Sequence, residues 1–132
     1  MALWSSPVRY AECDQQGIVF NAHYLTWADE ACTAWFAAVG VTYPALLARG
    51  LDMRVRASTL VWSSPGRYGD LVELDVGCER VGATSWVLAT QVRVGERECC
   101  TVRTTYVLVG RDDRPVRIPD DLRAAWTGAR SG

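Results

Sequence analysis

The 132-residue sequence contains no lysine: all 14 basic residues are arginines, against 15 acidic ones, for a formal net charge of −1. The arginines are scattered singly, so the clustered basic footprint that grips a phosphate backbone is missing, and nucleic acid is not expected as a partner. There is one histidine, His23, and no C-x-x-C pair among the five cysteines, so no metal site is expected. Cysteines 13, 32, 78, 99 and 100 read as reduced, packed thiols, with adjacent Cys99 and Cys100 expected on opposite faces of a strand. No apolar run approaches the length of a membrane span, so no membrane partner is expected. The opening Met1-Ala2-Leu3-Trp4-Ser5-Ser6-Pro7 has neither the basic nor the apolar region of a signal peptide, which makes a cytoplasmic location the default expectation. The absence of a G-x-S-x-G elbow argues against a Ser-His-Asp hydrolase.

What the chain has is apolar material, 49% of it, enough for a single domain over residues 1–132 with one core. Residues 3–13 can form a strand, broken early by Pro7. Asp14-Gln15-Gln16-Gly17 reads as a turn, with Gly17 free to take a positive φ. A helix is expected from about Asn21 to Val39, stopped by Gly40. Leu25, Ala28, Cys32, Trp35, Phe36 and Val39 share one side of it, and Tyr24, Trp27, Ala31, Ala34 and Ala38 widen that surface. Only Thr26, Asp29, Glu30 and Thr33 leave a polar stripe, so the helix is expected to be buried on most sides.

After a short helical stretch over residues 43–49, the period changes to two. Met53, Val55, Ala57, Thr59 and Val61 alternate with Arg54, Arg56, Ser58, Leu60 and Trp62. Residues 71–79 alternate more cleanly, residues 85–94 and 98–109 give two more strands joined by a turn at Gly95-Glu96, and a short helix is expected over 120–126. Strand, long helix, then four alternating strands implies an α+β domain, an antiparallel sheet of about five strands wrapped around one long central helix. The sheet edges are open to self-pairing between subunits.

The stretch Val8-Arg9-Tyr10-Ala11-Glu12-Cys13-Asp14-Gln15-Gln16-Gly17-Ile18-Val19-Phe20-Asn21-Ala22-His23-Tyr24 resembles the signature of the 4-hydroxybenzoyl-CoA thioesterase family. That signature has an Asp, a Gly three residues on, two apolar residues, an aromatic, and a Tyr ten residues after the Asp. The resemblance continues through Ser64-Pro65-Gly66-Arg67-Tyr68-Gly69-Asp70 and ends in Arg114-Pro115-Val116-Arg117-Ile118-Pro119. It implies a hotdog fold, a homodimer or homotetramer, and hydrolysis of acyl-CoA or acyl-carrier-protein thioesters with no metal or dissociable cofactor. Some branches carry a His where this chain has Asn21, so an imidazole mechanism at position 21 is not available.

Thioester hydrolysis needs a group to activate water or attack the carbonyl, and positive potential where the oxyanion develops. Asp14 can serve as general base or as nucleophile through a mixed anhydride. The alternative for Asp14 is a turn carboxylate closing its own loop. The helix start offers free N–H groups, and by the resemblance the Asn21 N–H is the oxyanion donor, with the Asn21 side chain expected as N-cap. Gly17 lets the loop fold back. Phe20, Tyr24, Trp27 and Trp62 could line an acyl pocket or belong to the core. His23, in the first helical turn, is either a neutral pocket residue or a packed one. Ser64, before the Pro65-Gly66 turn, could reach a neighbouring subunit's pocket or simply serve its own turn. Arg80, read as a turn residue resembling the family's phosphate-contacting loop, is a candidate for coenzyme A with Ser85 as hydroxyl partner; otherwise it is a solvated arginine. Two other functions compete with thioester hydrolysis: a non-catalytic acyl-thioester-binding module, and a hotdog dehydratase or hydratase using His23 and Glu30.

Overall fold

Residues 2–128 are described, in a computed structural model of the chain. Five strands, β1 (Trp4–Pro7), β2 (Asp52–Trp62), β3 (Leu71–Val81), β4 (Ser85–Val94) and β5 (Arg97–Val109), form one antiparallel sheet in the order β1-β3-β4-β5-β2. Helix α1 (His23–Ala38) lies against it, with α2 (Tyr43–Ala48) and α3 (Asp120–Gly128) beside it. This is the hotdog arrangement expected from the element order. No helix among the described residues is long and apolar enough to cross a membrane.

The first strand is shorter than expected. It stops at Pro7, and the chain turns into a single 3-10 turn over Tyr10–Glu12, closed by a capping box between Arg9 and Glu12. Helix α1 follows the expected limits closely, and Gly40 beyond it has φ 95°. Its packing differs. Tyr24, Trp27, Ala28, Ala31, Cys32, Trp35 and Phe36 are buried, a single face at i, i+3, i+4, i+7 spacing. The opposite side, including Leu25 at 37% exposure and Ala37, is open in the single chain. A five-stranded sheet curls around only part of a helix, so the expectation of burial on most sides does not hold.

The buried face divides along the helix axis. Tyr24, Trp27, Ala28 and Ala31 pack on Val72, Leu74, Val92 and Val102, while Cys32, Trp35 and Phe36 meet Trp86, Leu88, Tyr106, Leu108 and Trp126. Trp126 of α3 stands 4.4 Å from Trp86 between ring centroids, so α3 seals the second half. Truncating Phe36 to Ala would cost about 3–5 kcal/mol here.

Two register shifts alter the alternation read from sequence. One between Val55 and Ala57 turns Ser58, Leu60 and Trp62 to face the inward row Thr104, Val102 and Cys100, and sends Thr59 and Val61 outward. Another between Cys78 and Arg80 puts Arg80 opposite outward-facing Val87. Arg80 is thus a strand residue of β3 rather than a turn residue. Cys99 and Cys100 are both buried in one cluster, next to a third shift at Val92/Arg93, instead of facing opposite environments.

Candidate active site

The loop between the 3-10 turn and α1 is a miniature hairpin. Phe20 N–H donates to the Glu12 carbonyl (2.9 Å), Asp14 N–H to Ile18 (2.8 Å) and Gly17 N–H to Asp14 (2.9 Å), and Gly17 takes φ 78° as its turn requires. Glu12, which the sequence reading passed over, is the buried foundation of this hairpin at 3% exposure. Its Oε1 accepts the Arg9 N–H (2.8 Å), and its Oε2 accepts both the Arg9 guanidinium (3.0 Å) and the Trp27 indole N–H (2.9 Å). Burial pushes this carboxyl up, but those bonds outweigh it and hold the pKa below the ordinary value. An acid three residues after Arg9, the capping-box spacing, was the available signal.

Asp14 sits half-buried at the hairpin's turn. Its Oδ1 accepts the Gln16 N–H at 2.8 Å, an Asx turn, so the structural alternative weighed for it is realised. Its Oδ2 has no hydrogen-bond partner among the described residues. The carboxylate faces a cleft of about 420 Å³ lined by Cys13, Gly17 and the exposed, edge-to-face pair Tyr10 and Tyr68.

Asn21 does not cap the helix. Ala22 is the N-cap, in helical conformation and with no side-chain cap bond, because His23 N–H already donates to Phe20 in a tight turn. The Asn21 N–H makes no hydrogen bond among the described residues, so it remains an open donor at the positive end of α1. It lines a second cleft of about 280 Å³ with Ile18, Val19, Tyr24, Trp62, Ser63, Ser64 and Pro65. Tyr24 hydroxyl accepts the Gly66 N–H (3.1 Å), and the Gly66 carbonyl accepts Val19 N–H (2.9 Å), which zips the hairpin to the turn after β2. Burial raises the Tyr24 pKa, and the Gly66 bond offsets part of the rise.

The single chain therefore gathers Asn21, Tyr24 and Ser64 in one cleft and Asp14 with Gly17 in the next, on either side of the same hairpin. Ser64 is less free than its position suggests, since its hydroxyl donates to the Glu98 carbonyl and accepts from Arg97 (2.8 Å). Phe20 is 51% exposed and stands edge-on to His23, and neither contributes to these clefts. Arg80 and Ser85 do meet, in a third depression of about 230 Å³ on the outer face of the sheet, with Arg56 and Thr105. Arg56 was missed because the bulge in β2 that places it is not visible in the alternation. Burial drives the Cys32 and Cys100 thiols up to about 11, so neither is a nucleophile near neutrality. Asp29 on α1 is raised by burial, an effect partly offset by its bond from Tyr106.

A family model described as the thioesterase-like superfamily matches residues 8–126. The Bacillus subtilis (strain 168) protein named "Putative acyl-CoA thioesterase YneP" is 36% identical over 63 residues, 48% of this chain and 46% of that protein. The Escherichia coli O6:H1 protein named "Acyl-CoA thioester hydrolase YbgC" is 26% identical over 89 residues, 67% of this chain and 66% of its own length. The chain thus matches about half to two thirds of these relatives' lengths. Among solved structures, a hypothetical protein, TT1821, from Thermus thermophilus superposes with a TM-score of 0.89 at 25% identity, covering 96% of this chain and 97% of the other.

Proposed function

Since the chain belongs to the thioesterase-like superfamily, we propose that it hydrolyses acyl-CoA thioesters to a free acid and a thiol, with Asp14 as the catalytic carboxylate. The observation that carries this reading is the hairpin, which leaves two complementary groups unbonded at its two ends: Asp14 Oδ2 and the Asn21 N–H. In the general-base route, Asp14 takes a proton from water as the hydroxide adds to the thioester carbonyl. In the nucleophilic route Asp14 adds directly, and water resolves the anhydride. Either way the carbonyl oxygen gathers negative charge at the Asn21 N–H, and the carbon–sulfur bond then breaks to release the thiolate. One preorganised donor at such an oxygen is worth about 3 kcal/mol of barrier.

The active unit in this reading is a homodimer or homotetramer. Strand β2 is an 11-residue edge with Val55, Val61 and Trp62 more than half or half exposed, and Trp62 also lines the Asn21 cleft. Self-pairing along β2 would cover that edge and set a second protomer against the Asn21 cleft. The relatives' names support acyl-CoA as the substrate class. Arg56 and Arg80 form no ion pair among the described residues, and with Ser85 and Thr105 they would take the phosphates of the coenzyme. The Asx turn at Asp14 favours a second reading, a non-catalytic acyl-thioester-binding module. A panel of acyl-CoAs assayed for free thiol separates the two: hydrolysis supports the enzyme, and binding without release of thiol supports the module.

A further inference from the structure

Glu12 holds both arms of the hairpin at once. Its backbone carbonyl accepts the Phe20 N–H, one residue before Asn21, and its carboxylate accepts the Trp27 indole N–H, one turn into α1. Asp14 is the second residue after it. A single side chain thus joins the segment bearing the carboxylate to the helix that follows directly on Asn21 and its open N–H. Three N–H donors converge on its two oxygens, and only an ionised carboxylate accepts all three. The Arg9 side chain completes the arrangement from the surface, at 71% exposure.

We infer that Glu12 is a positioning residue for thioester hydrolysis, setting the separation of the Asp14 carboxylate from the Asn21 N–H through its bonds to Phe20, Trp27 and Arg9. The inference rests on the reading of Asp14 as the catalytic group. Glu12 touches no cleft, so it acts through the hairpin alone. A displacement of about 1 Å in a reacting group costs on the order of 100-fold in rate, and because Glu12 itself lines neither cleft, the loss is expected in kcat rather than in KM.

The test is steady-state hydrolysis of an acyl-CoA by the full chain carrying Glu12→Gln, Arg9→Met, Arg9→Lys, Asp14→Asn or the pair Glu12→Gln/Asp14→Asn. A carboxamide cannot accept from three donors, so Glu12→Gln should lower kcat about 100-fold with KM within about twofold. Arg9→Met, a change at an exposed side chain that the fold tolerates, should lower kcat several-fold, and Arg9→Lys should restore most of it because the ammonium can still donate to Glu12. The double variant should be no slower than Asp14→Asn alone, since a mispositioned group that is already gone costs nothing more. If Glu12→Gln and Arg9→Met keep wild-type kcat while Asp14→Asn loses it, Glu12 is only a staple of the fold and the inference fails by itself. A further loss in the double variant also contradicts it. Undiminished hydrolysis by Asp14→Asn overturns the Asp14 reading and this inference together.

Discussion

The hydroxyl of Tyr24, in the first turn of α1, accepts the backbone N–H of Gly66 at 3.1 Å and so locks the helix start to the turn that follows β2. Tyr24 is 2% exposed and Gly66 is buried, so the bond is made away from bulk solvent. Tyr24→Phe should cost about 1–3 kcal/mol, the penalty of a buried N–H left unpaired, read as a lower urea midpoint with an unchanged slope. Because Tyr24 also lines the Asn21 cleft, KM for acyl-CoA should rise in the same variant.

The edge strand gives a test of assembly. Val61 faces outward on β2 at 59% exposure, and a charge there disfavours strand-to-strand pairing without touching the core. If the active unit is the proposed dimer or tetramer, Val61→Arg should convert it to a monomer in light scattering and lower hydrolysis with it. A wild-type protein that is already a monomer at micromolar concentration would contradict the assembled active unit.

Arg56 and Arg80 should act on binding. If they hold coenzyme phosphates equally in the ground and transition states, Arg80→Ala and Arg56→Ala raise KM for acyl-CoA more than they lower kcat. Neither should affect an acyl-pantetheine that lacks the nucleotide. Equal effects on both substrates would remove this depression from the coenzyme site.

Acid should weaken the fold through Glu12. Its folded pKa lies below the ordinary glutamate value of 4.5, so the unfolded chain takes up the proton first. The stabilisation is therefore complete above that value and is lost as pH falls through the lowered folded one. Asp121, held down by Arg49, acts in the same direction, as does Asp52, where bonds from Tyr43, Met53 and Arg54 outweigh burial. Melting temperatures of wild type should drop below about pH 4.5, and Glu12→Gln should flatten that drop. Identical slopes for the two proteins would contradict this origin.

The helix, the four long strands and the Asp14–Gly17 turn were legible because each follows from local spacing. Gly17 and Gly40 mark their turns, and residues 71–79 alternate apolar with polar. The bulges at Val55/Ala57 and Cys78/Arg80 were not legible, since an extra residue leaves the composition of the pattern intact and only the partner strand reveals the shift. They are what move Leu60 inward and Arg80 outward. Asn21 looked like an N-cap from its residue type, yet the Phe20–His23 bond starts the helix a residue later. The capping-box spacing from Arg9 hinted at Glu12, but its bond to Trp27, fifteen positions away in sequence, was not legible. The motif pointed to Asp14 and Asn21 as candidates, but their separation into two clefts is a property of the folded single chain.

Asp14→Asn tests most directly whether Asp14 is the catalytic carboxylate. The amide oxygen of Asn can still accept the Gln16 N–H, so the Asx turn and the hairpin survive, but the group loses both its basicity and its nucleophilicity. The measurement is single-turnover release of free thiol from an acyl-CoA, with binding of the same acyl-CoA followed in parallel. If Asp14 is the catalytic carboxylate, the chemical step should fall by at least ~100-fold, the lower range for a positioned acid–base group, with affinity and melting temperature nearly unchanged. Thiol release at close to the wild-type rate would contradict it.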